Sequence, residues 1–280
     1  MLRHAGALAR STHPGPGLAV TIVAVLLGVA VGLEPWRVVV LGLALLFDQA
    51  SVGLSNDWID AERDRAVGRP DKPIALGQIG AGSVRAAAWI AAAAALLLTL
   101  PLGLAATAAH TVALASAWAY NAVLKNSPVS VLPYAVSFGL LPAIASLARP
   151  TPALPAWWVF VAGALLGIAA HFANVLPDLD DDRRTGIRGL PHRLGLRPSI
   201  VITWVALLLG AAAVTVGVAT GPAGIPVFAI VGLLISLAIS LVGLVLAMRR
   251  GVGRWLFRLV IAAALVDVAM LVLAGTRMLA

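Results

Sequence analysis

Apolar stretches about 20 residues long recur along almost the whole chain, and they decide the solvent in which it folds. A helix rising about 1.5 Å per residue crosses a hydrocarbon core about 30 Å thick in about that length. Nine such runs occur, at roughly 17–33, 36–55, 82–101, 104–124, 129–147, 156–176, 199–219, 223–247 and 255–276. They are continuously apolar and rich in Ala and Leu, without the period-two alternation that a membrane barrel needs, so they read as helices. Charged residues make up 11% of the chain, against about 25% in soluble domains, too few to cover a water-facing surface. The expected fold is an all-α integral membrane protein, one transmembrane domain over residues 1–280 with nine transmembrane helices.

The net charge of +8 would suit a nucleic-acid partner if it formed a patch, but the basic residues sit at the ends of apolar runs. No nucleic acid is expected; the partner they imply is the lipid bilayer. Arg3 and Arg10 before an apolar run imitate a signal peptide, but no cleavage site follows and many more runs do, so this is read as a retained first helix. The absence of cysteine excludes disulfides and thiolate metal sites.

Nine spans put the termini on opposite faces. With the N-terminus inside, 17 of the 20 basic residues fall on the cytoplasmic side, leaving Arg37, Arg149 and Arg277 outside. That asymmetry predicts a multi-pass protein of the cell membrane, with the N-terminus and the long connections 56–81 and 177–198 in the cytoplasm. Nine of the 12 acidic residues lie in those two connections.

The first reads NDWIDAERDRAVGRPDKPIALG from Asn56 and the second NVLPDLDDDRRTGIRGLPHRLG from Asn174. Each opens Asn-x₃-Asp-x₃-Asp: Asn56, Asp60 and Asp64, then Asn174, Asp178 and Asp182. On a helix, such positions form one stripe. Asp57 joins the first stripe and Asp181 the second, while Pro177 predicts a kink just before Asp178. Like charges on adjacent turns repel and call for a cation between them. Hard oxygen donors without His or Cys suit Mg²⁺, which bridges carboxylates to phosphates. Arg69, Lys72 and Arg188, which follow the two motifs, suit the remaining phosphate oxygens. One such loop is equally well a solvated face of salt bridges; two with matching spacing on one membrane face point to a diphosphate held by Mg²⁺.

Other ionisable residues lie within the runs. Asp48, two turns before Asn56, is read as a cavity residue, because a carboxylate in a span is costly unless it has work there. His171, one turn before Asn174, is placed on the same cavity, whereas His110 is read as a packing residue and Asp267 as a helix contact. Trp36, Trp157, Trp158 and Trp255 read as an interfacial belt.

With these motifs the sequence resembles the UbiA superfamily of intramembrane prenyltransferases. DKPIALG at 71–77, with Lys72 where Arg is usual, and GLPHRLG at 189–195 are similar to the stretches that follow the family's two motifs. Tyr120 and Lys125 are similar to a Tyr and a Lys near the diphosphate end of its cavity. The sequence departs from the family near the first run, where His13-Pro14 stands in place of Arg-Pro. The resemblance implies a bundle around a central cavity, similar to soluble isoprenoid synthases, with Asp60, Asp64, Asp178 and Asp182 catalytic. It implies Mg²⁺-dependent ionisation of a prenyl diphosphate and capture of the allylic cation by an aromatic or other lipid-soluble acceptor. A membrane terpene cyclase would use the same metal site. A secondary transporter is disfavoured, because its ionisable groups would gather at the midplane rather than at one face.

Overall fold

The computed structural model describes residues 2–179, 182, 186–221 and 224–280. Each of the nine apolar runs lies on a helix. In chain order the helices are α1 (Leu2–Ser11), α2 (Pro14–Ala30), α3 (Pro35–Ile59), α4 (Ala61–Ala66), α5 (Ala81–Thr99) and α6 (Leu104–Ala122). Then come α7 (Leu132–Leu147), α8 (Trp157–Val175), α9 (Leu190–Leu194), α10 (Leu196–Ala219), α11 (Val227–Arg250) and α12 (Arg254–Ala274). Pro14 and Pro35 open their helices, where the missing N–H has no intrahelical partner to lose.

Six helices are long and apolar enough to cross a membrane: α3, α5 with its 3₁₀ extension to Leu102, α8, α10, α11, and the stretch Trp255–Met278 that includes most of α12. The expectation of nine is met at that standard for these six. α7 has only 16 residues, and α6 is diluted by Thr, His, Ser and Asn. α1 and α2 meet at a 59° bend and would make a seventh only as a broken span. The bend sits at His13, whose φ of 52° is left-handed, a conformation a non-glycine residue adopts only when its surroundings hold it there. The amphipathic α1 was not among the expected helices.

The helices close into a ring. α2 packs on α3, α3 on α5 and α6, α6 on α7, α7 on α8, and α8 on α10; α10 meets α11 and α12, and α12 returns to α2. Small residues set the closest seams. A Cβ at Gly163 would lie 2.6 Å from the Phe138 carbonyl, so only glycine lets α8 approach α7 so closely, as small residues do between membrane helices. Gly217 of α10 is filled by the Trp158 indole in the same way. Trp158 is therefore buried in the bundle and not part of the interfacial belt, unlike the exposed Trp36 and Trp157. The outer surface carries exposed Ile90, Leu97, Leu234 and Leu265, a face suited to lipid.

Candidate active site

The first acidic segment lies at the end of α3, where the helix breaks at Asp60 and restarts as α4. The break does not scatter the stripe, because Asp60 N bonds Asn56 O at 3.0 Å and Asp64 N bonds Asp60 O at 2.9 Å. Asp57, Asp60 and Asp64 are 2, 6 and 3% exposed, far more buried than loop carboxylates. Cations accompany them. Lys72 Nζ donates to Asp57 Oδ1 at 2.6 Å, and His13 Nε2 lies 2.7 Å from the same oxygen. Asp60 Oδ1 receives Lys125 Nζ, while its Oδ2 receives Arg63 Nη2 at 2.9 Å and Asn56 Nδ2 at 3.3 Å. Arg63 also reaches Asp64 Oδ1 at 3.6 Å. Two carboxylate oxygens, Asp57 Oδ2 and Asp64 Oδ2, are buried without a hydrogen-bond partner.

The second segment meets the first at the same end of the bundle. α8 gives way to a 3₁₀ turn, Leu176–Asp178, at the expected Pro177 kink. The Asp178 side chain and Asp181 lie outside the described residues. Asn174 is exposed and donates from Nδ2 to the Tyr134 hydroxyl at 3.4 Å. Asp182 Oδ2 is 3.2 Å from His192 Nε2. The chain then crosses the α6–α7 connection: Leu190 N donates to Ser130 Oγ at 2.8 Å, and a Cβ at Gly189 would lie 2.5 Å from the Lys125 carbonyl. Lys125, bonded to Asp60 on one side and backed by Gly189 on the other, ties the two loops together. Arg188 is exposed, and its carbonyl accepts Arg193 Nε at 2.9 Å. Arg69 forms a two-bond pair with Asp71 at 3.0 and 3.1 Å.

The electrostatics follow from burial. Burial pushes the Asp64 carboxyl above the usual carboxylate range, although Lys72 and Arg63 oppose the shift. Burial draws the Lys125 ammonium below the usual lysine range against the pull of Asp60. The Arg69 guanidinium holds Asp71 low. Among the described residues no three His, Asp or Glu side chains converge as a ready-made metal cluster.

Beneath the charged cap, aromatic rings line the way inward. Tyr120 stands edge-on to Tyr134 at 5.1 Å and to His171 at 5.7 Å, and His171 Nε2 is held 3.0 Å from Ser130 Oγ. Deeper still is a small pocket between α2, α3, α6 and α7. Asp48 and the fully buried His110 are among its lining, and His110 Nε2 lies 3.3 Å from Asp48 Oδ1. His171 belongs to the aromatic layer and is not among the residues lining this pocket. The reading from sequence missed His13, Arg63, Asn121 and His192. Arg63 alone had a local signal, its place three residues after Asp60. Asn121, which donates to Val52 O at 3.0 Å and Ser55 Oγ at 2.8 Å, had none.

A helical membrane bundle whose one end gathers buried carboxylates and lysines over an apolar interior defines a class of intramembrane proteins built to hold a charged headgroup there. The chain belongs to the UbiA prenyltransferase family, whose model matches residues 17–260. It is 32% identical over 161 residues to a 4-hydroxybenzoate octaprenyltransferase of Burkholderia vietnamiensis, covering 56% of this chain and 55% of that one. A protein of the same name from Polynucleobacter necessarius is 33% identical over 150 residues, covering 52% of each. The matched stretch thus spans about half the length of these curated relatives. Among solved structures, a UbiA homolog from Archaeoglobus fulgidus bound to GPP and Mg²⁺ superposes with a TM-score of 0.76 at 15% identity, covering 95% of this chain and 98% of that one. An apo UbiA homolog from Aeropyrum pernix gives 0.72 at 18% identity, covering 92% and 96%. At that identity the likeness is one of fold.

Proposed function

We propose that the protein transfers a prenyl group from a prenyl diphosphate to an aromatic or other lipid-soluble acceptor, with Mg²⁺ as cofactor. The observation that carries this reading is the alternation of buried carboxylates with lysine and arginine at one end of the bundle, above an apolar interior, in a member of this family. Relatives named for octaprenyl transfer to 4-hydroxybenzoate, and a homolog bound to GPP and Mg²⁺, support it.

The residues fit a hard divalent cation. Asp57 Oδ2 and Asp64 Oδ2 are buried acceptors without partners, an arrangement that costs free energy unless something positive completes it. Asn56, Asp57, Asp60 and Asp64 from one segment, and Asn174, Asp178, Asp181 and Asp182 from the other, would hold it. Bound Mg²⁺ would neutralise the diphosphate and stabilise charge growing on it as the allylic C–O bond ionises. The chain's own cations do the same work from the sides. Lys72 and Lys125, now neutralised by Asp57 and Asp60, have phosphate oxygens as alternative partners, joined by Arg63, Arg69 and Arg188. Tyr120, Tyr134 and His171 present ring faces and edges below the headgroup, where aromatic faces stabilise a nearby carbocation. The prenyl tail lies among the helices, where each buried methylene contributes about 0.8 kcal/mol.

All nine apolar helices are read as spans of one domain, with both acidic segments cytoplasmic. Cysteines at Gln78 and Leu196 should then react with an impermeant reagent from the inside only; labelling from opposite faces would remove a shared site. For the activity, protein in lipid nanodiscs is given Mg²⁺ and a panel of prenyl diphosphates. Diphosphate release that needs an added aromatic, and stops with EDTA, supports transfer. Release without acceptor, with a cyclic hydrocarbon as product, would make the protein a cyclase.

A further inference from the structure

Polar groups along the last turns of α3 converge on one side chain of α6. Asn121 is 3% exposed. Its Nδ2 donates to Val52 O at 3.0 Å and to Ser55 Oγ at 2.8 Å, and its Oδ1 lies 3.5 Å from Asn56 Nδ2. The two elements meet in register. Asn121 and Lys125 are four positions apart, and so are their partners Asn56 and Asp60, the first two members of the acidic stripe.

The hydrogen bonds fix which way both amides face. Val52 O can only accept, and the Ser55 hydroxyl gives its proton to the same carbonyl at 2.9 Å. Both therefore need a donor, so the NH₂ of Asn121 faces them and its oxygen faces Asn56. The NH₂ of Asn56 is fixed in turn, 3.5 Å from Asn121 Oδ1 and 3.3 Å from Asp60 Oδ2, which also receives Arg63. Asn56 Oδ1 is thereby turned to the opposite side, where it faces the buried Lys72 ammonium at 3.4 Å. An amide can serve a hard cation only through its oxygen, and the reversed amide would point two N–H donors at the cation.

We propose that Asn121 is a positioning residue, which turns the Asn56 amide so that its oxygen and not its nitrogen faces the Mg²⁺ site. This deepens the prenyl-transfer reading and rests on it. The bonds to Val52 and Ser55 anchor Asn121, and its own oxygen does the orienting.

The test uses the full-length protein in nanodiscs with a non-ionising prenyl thiolodiphosphate, and Mn²⁺ as the probe in place of Mg²⁺. Mn²⁺ affinity is read by electron paramagnetic resonance, without turnover. Asn121→Ala should weaken it at least about tenfold, the scale of losing a partner that orients a metal ligand. In the Asn56→Asp background the same substitution should cost less than about threefold, because a carboxylate presents an oxygen whichever way it is turned. A mere tie between α3 and α6 would lower both backgrounds alike. A smaller loss in the parent, or a comparable loss in the two backgrounds, would therefore overturn the proposal. If Asn121→Ala does not fold, Asn121→Ser is carried through the same cycle, and loss of folding in both would leave Asn121 a structural tie and overturn it as well. Failure of the parent itself to bind Mn²⁺ with thiolodiphosphate would sink the metal-dependent reading, whereas normal binding by the parent with an unmoved cycle sinks the positioning role alone.

Discussion

Residues 56–72 and 174–192 carry the same Asn-x₃-Asp-x₃-Asp spacing in different surroundings. In the first, Asp57, Asp60 and Asp64 are buried, and Lys72, Lys125, Arg63 and His13 reach them from α4, two loops and the α1–α2 bend. In the second, Asn174 is exposed, Asp182 is half-buried against His192, and a proline turn at Leu176–Asp178 interrupts the helix. The difference teaches that spacing selects a chemistry while the packing around it sets the charge balance. The first segment is a neutralised cluster, folded into the bundle. The second is laid over it by the contacts of Gly189 and Leu190 with the α6–α7 connection.

The largest test of this comparison removes carboxylates from both sides. Asp60→Ala, Asp64→Ala, Asp178→Ala and Asp182→Ala should each lower kcat/KM by about 10³-fold, the scale of losing one preorganised electrostatic group in a dry site. Circular dichroism should show each variant still folded. If the two second-segment variants keep near-parent turnover, only the buried segment is catalytic.

Smaller effects come from the cations. Under the proposed function, Lys72→Gln, Lys125→Gln and Arg188→Gln should each forfeit a charge-assisted hydrogen bond to diphosphate, costing about 1.5–3 kcal/mol, or about ten- to a hundredfold in rate. Steady-state kinetics at saturating Mg²⁺ measure this. Because burial lowers the Lys125 pKa, KM for prenyl diphosphate should climb on the alkaline side below the ordinary lysine range, and Lys125→Arg should remove that climb. Parent-like kinetics in all three Gln variants would place the diphosphate elsewhere.

The smallest effect is on stability, and it sharpens the difference in burial. Asp64 has a raised pKa in the folded state, so the fold binds its proton more tightly than the unfolded chain does. Its stabilising contribution is complete at low pH and is lost as pH rises through the raised value. At neutral pH without metal, Asp64→Asn should therefore raise Tm. The same substitution should abolish the added protection from Mg²⁺. A thermal scan that shows a lower Tm for the variant would mean that Asp64 is already satisfied without a cation.

How much was legible in advance follows from the range of each interaction. Asn56, Asp60 and Asp64 were found because helix periodicity is local, and it survives the break at Asp60 through two successive backbone bonds. Pro177 announced its turn for the same reason. Asp48 stood out because a carboxylate in a span is costly without a partner. The contact of His110 with Asp48, 62 positions earlier in the chain, carries no local signal. His13 was seen as a departure from a motif, but its contact with Asp57 depends on the 59° bend that carries α1 away.

By itself, then, the sequence determined the solvent, the helical class, the family and the first acidic stripe, because hydropathy, proline and i, i+4 spacing act over a few residues. Only the tertiary structure decided which charges neutralise one another, that Lys125 joins the two loops, and that Asp48 meets His110 at the wall of one pocket. Those outcomes depend on how helices distant in sequence approach, and that is set by small residues such as Gly163 and Gly189, whose role appears only where another backbone passes over them.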